Sequence, residues 1–205
     1  MRVLILALLA TSGVWGAEWR NLFPGGSMAE WDVVGDGLWR MQNDGTLVAM
    51  RSPEAAVKQS WLYTKQEFGE FDLRLQYWNR WGGNSGVSIR DKTRAAKACG
   101  AAWVAEETPS HHGYEIQIIS GDEASQPSGS IYLFQKAVPN IQKDFDWNLL
   151  EIQSRKKKIT IFLNGVKVAE HRGDPKRPVV GPIGLQLHDA ESLIQFRGVQ
   201  IKERK

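Results

Sequence analysis

Gly113-Tyr114-Glu115-Ile116-Gln117-Ile118-Ile119 alternates apolar and polar side chains with the period of a β-strand. Tyr114, Ile116 and Ile118 share one face, and Glu115 and Gln117 share the other. Glu and Gln are poor strand formers, so two of them in mid-strand call for a reason. Either that face is simply wetted, or it is the floor of a polar groove centred on Glu115. Runs of the same kind recur at 38–41, 46–49, 61–64, 71–78, 86–90, 130–134, 147–153, 159–163, 166–170, 183–188 and 194–201, separated by Gly, Pro, Asn and Asp. Nothing reads as a long amphipathic helix, and many short strands at this spacing predict an all-β sandwich. Asn164-Gly165 joins two of the runs as a two-residue hairpin turn, because both residues tolerate positive φ. Asn43-Asp44-Gly45 reads as a second, slightly longer turn. Alternation stops over 91–112. Residues 93–107 are rich in Ala and Lys, have room for a turn or two of helix, and are followed by Pro109. An insertion of this length beside the central strand is functional or mobile rather than core.

The 205 residues suit one large β domain, with no internal repeat or linker to divide it. Its first segment stands apart: Arg2, an apolar run over 3–10, then small and polar residues over 11–17 apart from Trp15. That is the pattern of a secretory signal peptide, and the apolar run is too short to span a bilayer. Cleavage after Gly16 leaves Val14 at the −3 position, whereas cleavage after Ala17 would put the bulky Trp15 there. The expectation is a signal peptide over 1–16, one sandwich domain over 17–205, and an exported protein, periplasmic or extracellular, with no membrane span. Without Arg2 the chain carries 25 basic and 23 acidic residues, net +2, which favours no polyanionic partner. Its basic run, Arg155-Lys156-Lys157-Lys158, sits between two strands as a solvated turn, and no basic stripe interleaved with aromatics speaks for nucleic acid. A single Cys99 forms no internal disulfide, so stability rests on the core. Export without disulfides fits a bacterial periplasm or surface. Nine Trp raise the carbohydrate class modestly, since flat aromatics pack against sugar rings. Trp78, Trp81 and Trp103 are candidate stacking walls, and Trp39, Trp61 and Trp147 candidate core.

If the strands around Gly86, Tyr114, Ser130 and Ile183 are neighbours in one sheet, their polar face collects Arg90, Glu115, Gln117, Tyr132, Gln186 and His188. A merely solvated face would scatter Lys, Thr and Glu. This one gathers directed hydrogen-bonding groups and two titratable ones, as a binding groove does. Gly82-Gly83-Asn84-Ser85-Gly86 is a tight inter-strand turn that also places Asn84 at the groove edge. His111 and His112, at the end of the insertion, lack a further His or carboxylate at metal-site spacing and read as a polar loop. Cys99 is given no role.

Phe23-Pro24-Gly25-Gly26 with Trp31, Gly37-Leu38-Trp39, Gly45-Thr46-Leu47, Ser60 to Thr64, Phe71 to Leu75, Gly82 to Val87, Gly113 to Ile118, Gly129 to Tyr132, Trp147-Asn148, Leu163-Asn164-Gly165 and Gly181 to His188 occur in a fixed order. In that order the sequence resembles the 3-keto-disaccharide hydrolase family, over about residues 18–202. The resemblance implies a jelly-roll sandwich of two antiparallel sheets, like concanavalin A-like lectins and glucanases, with the ligand groove on the concave sheet. Here it would carry one irregular or partly helical insertion. It also implies cleavage of glycosides whose sugar has been oxidised to a ketone at C3, which acidifies the C2 hydrogen and places the C1 leaving group β to the carbonyl. A base at C2, a donor to the ketone and an acid for the leaving group would give elimination, and water could then add. Glu115 and His188 are the expected catalytic pair. Asn84, Arg90, Gln117, Tyr132, Gln186 and Trp81 are the expected substrate contacts. No cofactor is called for, and the sequence leaves a divalent metal ion open. A non-catalytic lectin-like module and an interaction domain with a vestigial groove are the alternatives. The 91–112 segment is longer and richer in Ala and Lys than the family pattern, so access or specificity would differ there.

Overall fold

The structure, a computed structural model, describes residues 18–51, 59–99, 103–121, 125–190 and 192–204. The expected signal peptide lies outside them, as does the middle of the 91–112 insertion. Among the described residues thirteen strands alternate with turns: β1 Arg20–Asn21, β2 Trp31–Val34, β3 Leu38–Met41, β4 Leu47–Met50, β5 Ser60–Thr64, β6 Phe71–Asn79, β7 Asn84–Ile89, β8 Tyr114–Ile119, β9 Asn148–Arg155, β10 Lys158–Leu163, β11 Val166–His171, β12 Ile183–Leu187 and β13 Leu193–Glu203. They form two antiparallel sheets. The eight-stranded sheet runs β11-β10-β9-β6-β13-β4-β3, with β1 added to β13, and the five-stranded sheet runs β2-β5-β12-β7-β8. The expected all-β sandwich is what the chain forms.

Alternation explains the packing. Leu73, Leu75 and Tyr77 from β6 and Ile152 from β9 join Val87, Ile89, Ile116, Ile118, Leu185 and Leu187 of the smaller sheet in one buried cluster. Each such side chain fully removed from water contributes ~1.5–3 kcal/mol. Asn164 and Gly165 both adopt positive φ, 52° and 81°, and close the β10–β11 hairpin. Gly45 does the same at φ 81° between β3 and β4.

Three expectations are revised and one is refined. Residues 130–134 are a turn rather than a strand: the Phe134 and Gln135 N–H groups both donate to Ile131 O, and Leu133 turns through φ 69°. The turn is nevertheless pinned along the β8 edge, since Tyr132 N–H donates to Glu115 O at 2.8 Å and Gln117 N–H to Ser130 O at 2.9 Å. Trp61 is fully buried, as expected of core, and belongs with Tyr63, Ala95 and Ala98 to a second hydrophobic cluster beside that of the sandwich. Trp147 lies half-buried, with the Arg197 guanidinium 4.0 Å from its ring centre. Trp78 sits on β6, in the sheet opposite the candidate groove.

The insertion is anchored at its start. The buried Asp91 carboxylate accepts hydrogen bonds from Thr93 N–H (2.9 Å), Thr93 O–H (2.6 Å), Ala95 N–H (3.0 Å) and Tyr63 O–H (3.0 Å). Those bonds press Ala95 and Ala98 onto the outer face of β5. Beyond it come a three-residue 3₁₀ turn, Ala105–Glu107, and a single helical turn, α1, Pro109–His112, which Pro109 opens.

Candidate functional site

β12, β7 and β8 lie side by side, so their outward side chains meet. Ser88 pairs with Glu115, Gly86 with Gln117 and Gly184 with Ser88. Gly86 is there because Glu115 leans across it: a Cβ at residue 86 would come 2.9 Å from Glu115 Oε1. Gly184 yields in the same way to the Tyr63 ring, 2.4 Å from a Cβ at that position. The result is a cleft of about 510 Å³. Asn84, Glu115, Gln117 and His188 line its floor, Gln59 and Tyr132 its sides, and Trp103, Ala105, Thr108, Ser110 and His111 supply a wall from the insertion.

Burial dominates the chemistry of this floor. Glu115 is 6% exposed. Loss of solvent pushes its carboxyl from 4.5 up to about 7, against the pull of the nearby His188 and of the Gln186 amide. Gln186 is fully buried beside Glu115, and neither its side-chain nitrogen nor its oxygen makes a well-formed hydrogen bond. His188 is held by its backbone, which receives Arg51 Nη1–H at 3.1 Å and donates to Asn84 O at 3.3 Å. Its Nδ1 turns toward Asp189 Oδ2 at 3.4 Å. Burial would raise the Asp189 carboxyl, but the approach of His188 and the hydrogen bond from Ser192 outweigh it and hold the group below its usual range. Asn84 is fixed by Ser192 Oγ at its N–H (3.0 Å), and its Oδ1 accepts Gln117 Nε2–H at 3.1 Å.

The structure therefore brings Glu115, His188, Asn84, Gln117 and Tyr132 into one cleft, with Gln186 beside Glu115 beneath its surface. It does not bring Arg90 or Trp81 there. Arg90 adopts φ 62° at the end of β7, which turns its side chain away from the outer face. It is 1% exposed and donates to Ser154 Oγ (2.8 Å) and Arg155 O (2.5 Å) of the opposite sheet, beside the Tyr114 ring. Arg90 ties the sheets together instead of gripping a ligand. Trp81 stands away from the cleft lining and stacks on the exposed Phe145, with ring centres 5.5 Å apart. Trp103 does line the cleft, as a stacking wall should. Gln59, Thr108, Ser110, His111 and Gln126 line it without having been singled out as contacts from sequence; the break in alternation over 91–112 was the only signal for three of them. Burial pushes the Cys99 thiol up to about 12, so it offers no thiolate near neutral pH. Among the described residues, no group of three or more His, Cys, Asp or Glu could hold a metal ion.

Fold and cleft together define a class: a galectin-like β-sandwich of two antiparallel sheets with a polar cleft on the smaller one. Within that class, the chain belongs to the family of the 3-keto-alpha-glucoside-1,2-lyase-like domain, whose model matches residues 18–202. No curated protein matches it by sequence. Among solved structures it is similar to a Parabacteroides distasonis protein named "Putative glycosyl hydrolase", at 25% identity and TM-score 0.69, covering 91% of this chain and 100% of the other. The carbohydrate binding module CBM66 from Bacillus subtilis shares the fold at 14% identity and TM-score 0.57, covering 85% and 96% of the two chains. So does a Bacillus subtilis protein of unknown function with a galectin-like fold, at 12% identity and TM-score 0.60, covering 91% and 94%.

Proposed function

We propose that this is an exported carbohydrate-active enzyme that cleaves the glycosidic bond of 3-keto-glycosides, by elimination followed or not by hydration. One observation carries the reading. A carboxyl buried in a polar cleft, with its pKa brought to about 7 beside a histidine, is poised for proton transfer near neutral pH. A purely hydroxyl-gripping site has no need of it, and the family match supports this choice of reaction.

In the reaction, the C2–H bond gives its proton to a base and its electron pair becomes an enolate over C2, C3 and the ketone oxygen. That pair then forms the C1–C2 double bond, restores the ketone and expels the C1 oxygen, which takes a proton from an acid. Glu115 is present in both protonation states near neutrality and so can serve either step. His188, with Nδ1 turned to Asp189, is the donor for the ketone oxygen. Asn84, Gln117 and Tyr132 bind hydroxyls. The joined amides of Asn84 and Gln117 would equally suit a lectin-like module, which is the second reading.

The test is turnover of a chromogenic 3-keto-glucoside beside its unoxidised parent, with and without a chelator. Release from the keto compound alone is expected. Saturable sugar binding with release from neither would leave the binding-module reading, and loss of release in the chelator would add a metal to the site.

A further inference from the structure

His111 is the titratable group of the cleft that the scheme above leaves unused, and its hydrogen bonds fix more than its position. Three groups surround Thr108 Oγ1: Ala105 O at 3.1 Å, Ser110 Oγ at 2.9 Å and His111 Nδ1 at 2.9 Å. A carbonyl oxygen only accepts, so a Thr108 hydroxyl bonded to Ala105 O spends its single proton there. The two lone pairs of Thr108 Oγ1 are then left to accept, one from Ser110 O–H and one from His111 Nδ1–H. Proton counting thus makes the neutral imidazole the Nδ1–H tautomer, with its lone pair on Nε2.

The wall carrying this ring is clamped. Arg177 donates to Ser110 O at 2.6 Å and to Gly113 O, so it grips the backbone on both sides of His111. His111 N–H donates to Thr108 O at 2.9 Å, and Gly113 N–H closes the turn onto Pro109 O at 2.8 Å. Around the ring stand Arg177, Glu106, His112 and Glu107; burial first, then the Arg177 charge, keeps it neutral at pH 7. The groups that act on Glu115 are His188 and Gln186. His111 and Glu115 line the same cleft, but they do not share charged neighbours.

We infer that His111 Nε2, presented by Thr108 from the cleft wall, is the base that removes the C2 proton of the 3-keto sugar, leaving Glu115 to protonate the departing C1 oxygen. The inference rests on the proposed reaction and divides its proton transfers between wall and floor. C2–H passes its proton to Nε2 and its electrons to the enolate, and the Glu115 proton goes to the leaving oxygen. Each group then returns to its starting state by exchange with water. Thr108 keeps its bond to Nδ1–H throughout, so the imidazolium is stabilised as it forms.

Two measurements test this. The first is the His111 tautomer, read from long-range ¹⁵N–¹H correlation spectra of the full chain near pH 8. Nδ1–H is expected in the wild type and an Nε2–H admixture in Thr108→Val; Nε2–H in the wild type would overturn the inference. The second is exchange of the C2 hydrogen with D₂O in a 3-keto sugar that lacks a leaving group at C1, which isolates the base from the acid. Wild type is expected to catalyse it, His111→Asn to lose about 10²–10⁴-fold, and His112→Asn, whose ring is bonded to Glu107 and lies off the cleft, to lose nothing. Exchange undiminished in His111→Asn refutes the role of His111 alone. No exchange by the wild type refutes both this assignment and the reaction it rests on.

Discussion

Replacing Glu115 by Gln should stabilise the protein, and only above a definable pH. The buried carboxyl has its pKa raised from 4.5 to about 7, so between those values the folded chain holds a proton that the unfolded chain releases. Stability therefore falls as pH rises through this window and is constant above it. At ~1.4 kcal/mol per pH unit, the wild type gives up about 3 kcal/mol between pH 4 and pH 8 through this one group. Carboxylates held below their usual range act with opposite sign and at lower pH. Asp72, where Arg155 and Arg204 outweigh burial, is one, and Asp189 is another. Those groups are common to both proteins and cancel in the comparison. Glu115→Gln keeps the shape and cannot ionise. Thermal unfolding of the pair should coincide near pH 4 and separate by roughly 10 °C at pH 8, the variant melting higher. Parallel curves across pH, or a variant that melts lower at pH 8, would show that Glu115 is not held in a desolvated floor.

Two further substitutions probe neighbouring features. Arg90→Ala removes a buried side chain and takes one hydrogen-bond donor from each of Ser154 Oγ and Arg155 O. It should cost about 3 kcal/mol in urea unfolding and leave the KM for a 3-keto-glucoside unchanged; a raised KM with intact stability would return Arg90 to the cleft. Gly86→Ala puts a methyl 2.9 Å from Glu115 Oε1 and 3.2 Å from Ile116 O. About 1–2 kcal/mol of stability and at least tenfold in turnover should be lost, since the carboxyl must move; wild-type turnover would mean that its placement does not matter.

Where the sequence speaks locally, it is reliable. The hairpin at Asn164-Gly165 and the inward faces of β6, β8 and β12 follow from turn chemistry and a period of two, and the same period places Glu115 and Gln117 outward. The errors occur where a local rule meets a distant constraint. Arg90 continues the outward alternation of β7 on paper, but a single positive φ at the strand end sends it between the sheets. Residues 130–134 have strand composition, yet their N–H groups close a turn on Ile131 O instead of extending a ladder. Trp78 alternates correctly, but periodicity does not say which sheet β6 joins. The wall of Thr108, Ser110 and His111 had no periodic signature, because a 3₁₀ turn and one turn of helix are too short to produce one.

The plug of Ala95 and Ala98 over Trp61 and Tyr63 has a consequence for traffic across the sheet. An uncovered concave face is a trough, and a polymer can lie in it with both ends projecting. Here the β5 side is filled by two fully buried aromatic rings, locked beneath the insertion through the Asp91 carboxylate. A strand of glycan threading from one side of the sheet to the other would have to lift that packing and break four hydrogen bonds to Asp91. Over β8 the cleft is bordered instead by the turn that carries Tyr132. On the reading proposed above, that packing over β5 would sort glycans by length, chain ends and short glycosides before chain interiors, ahead of any recognition of a hydroxyl.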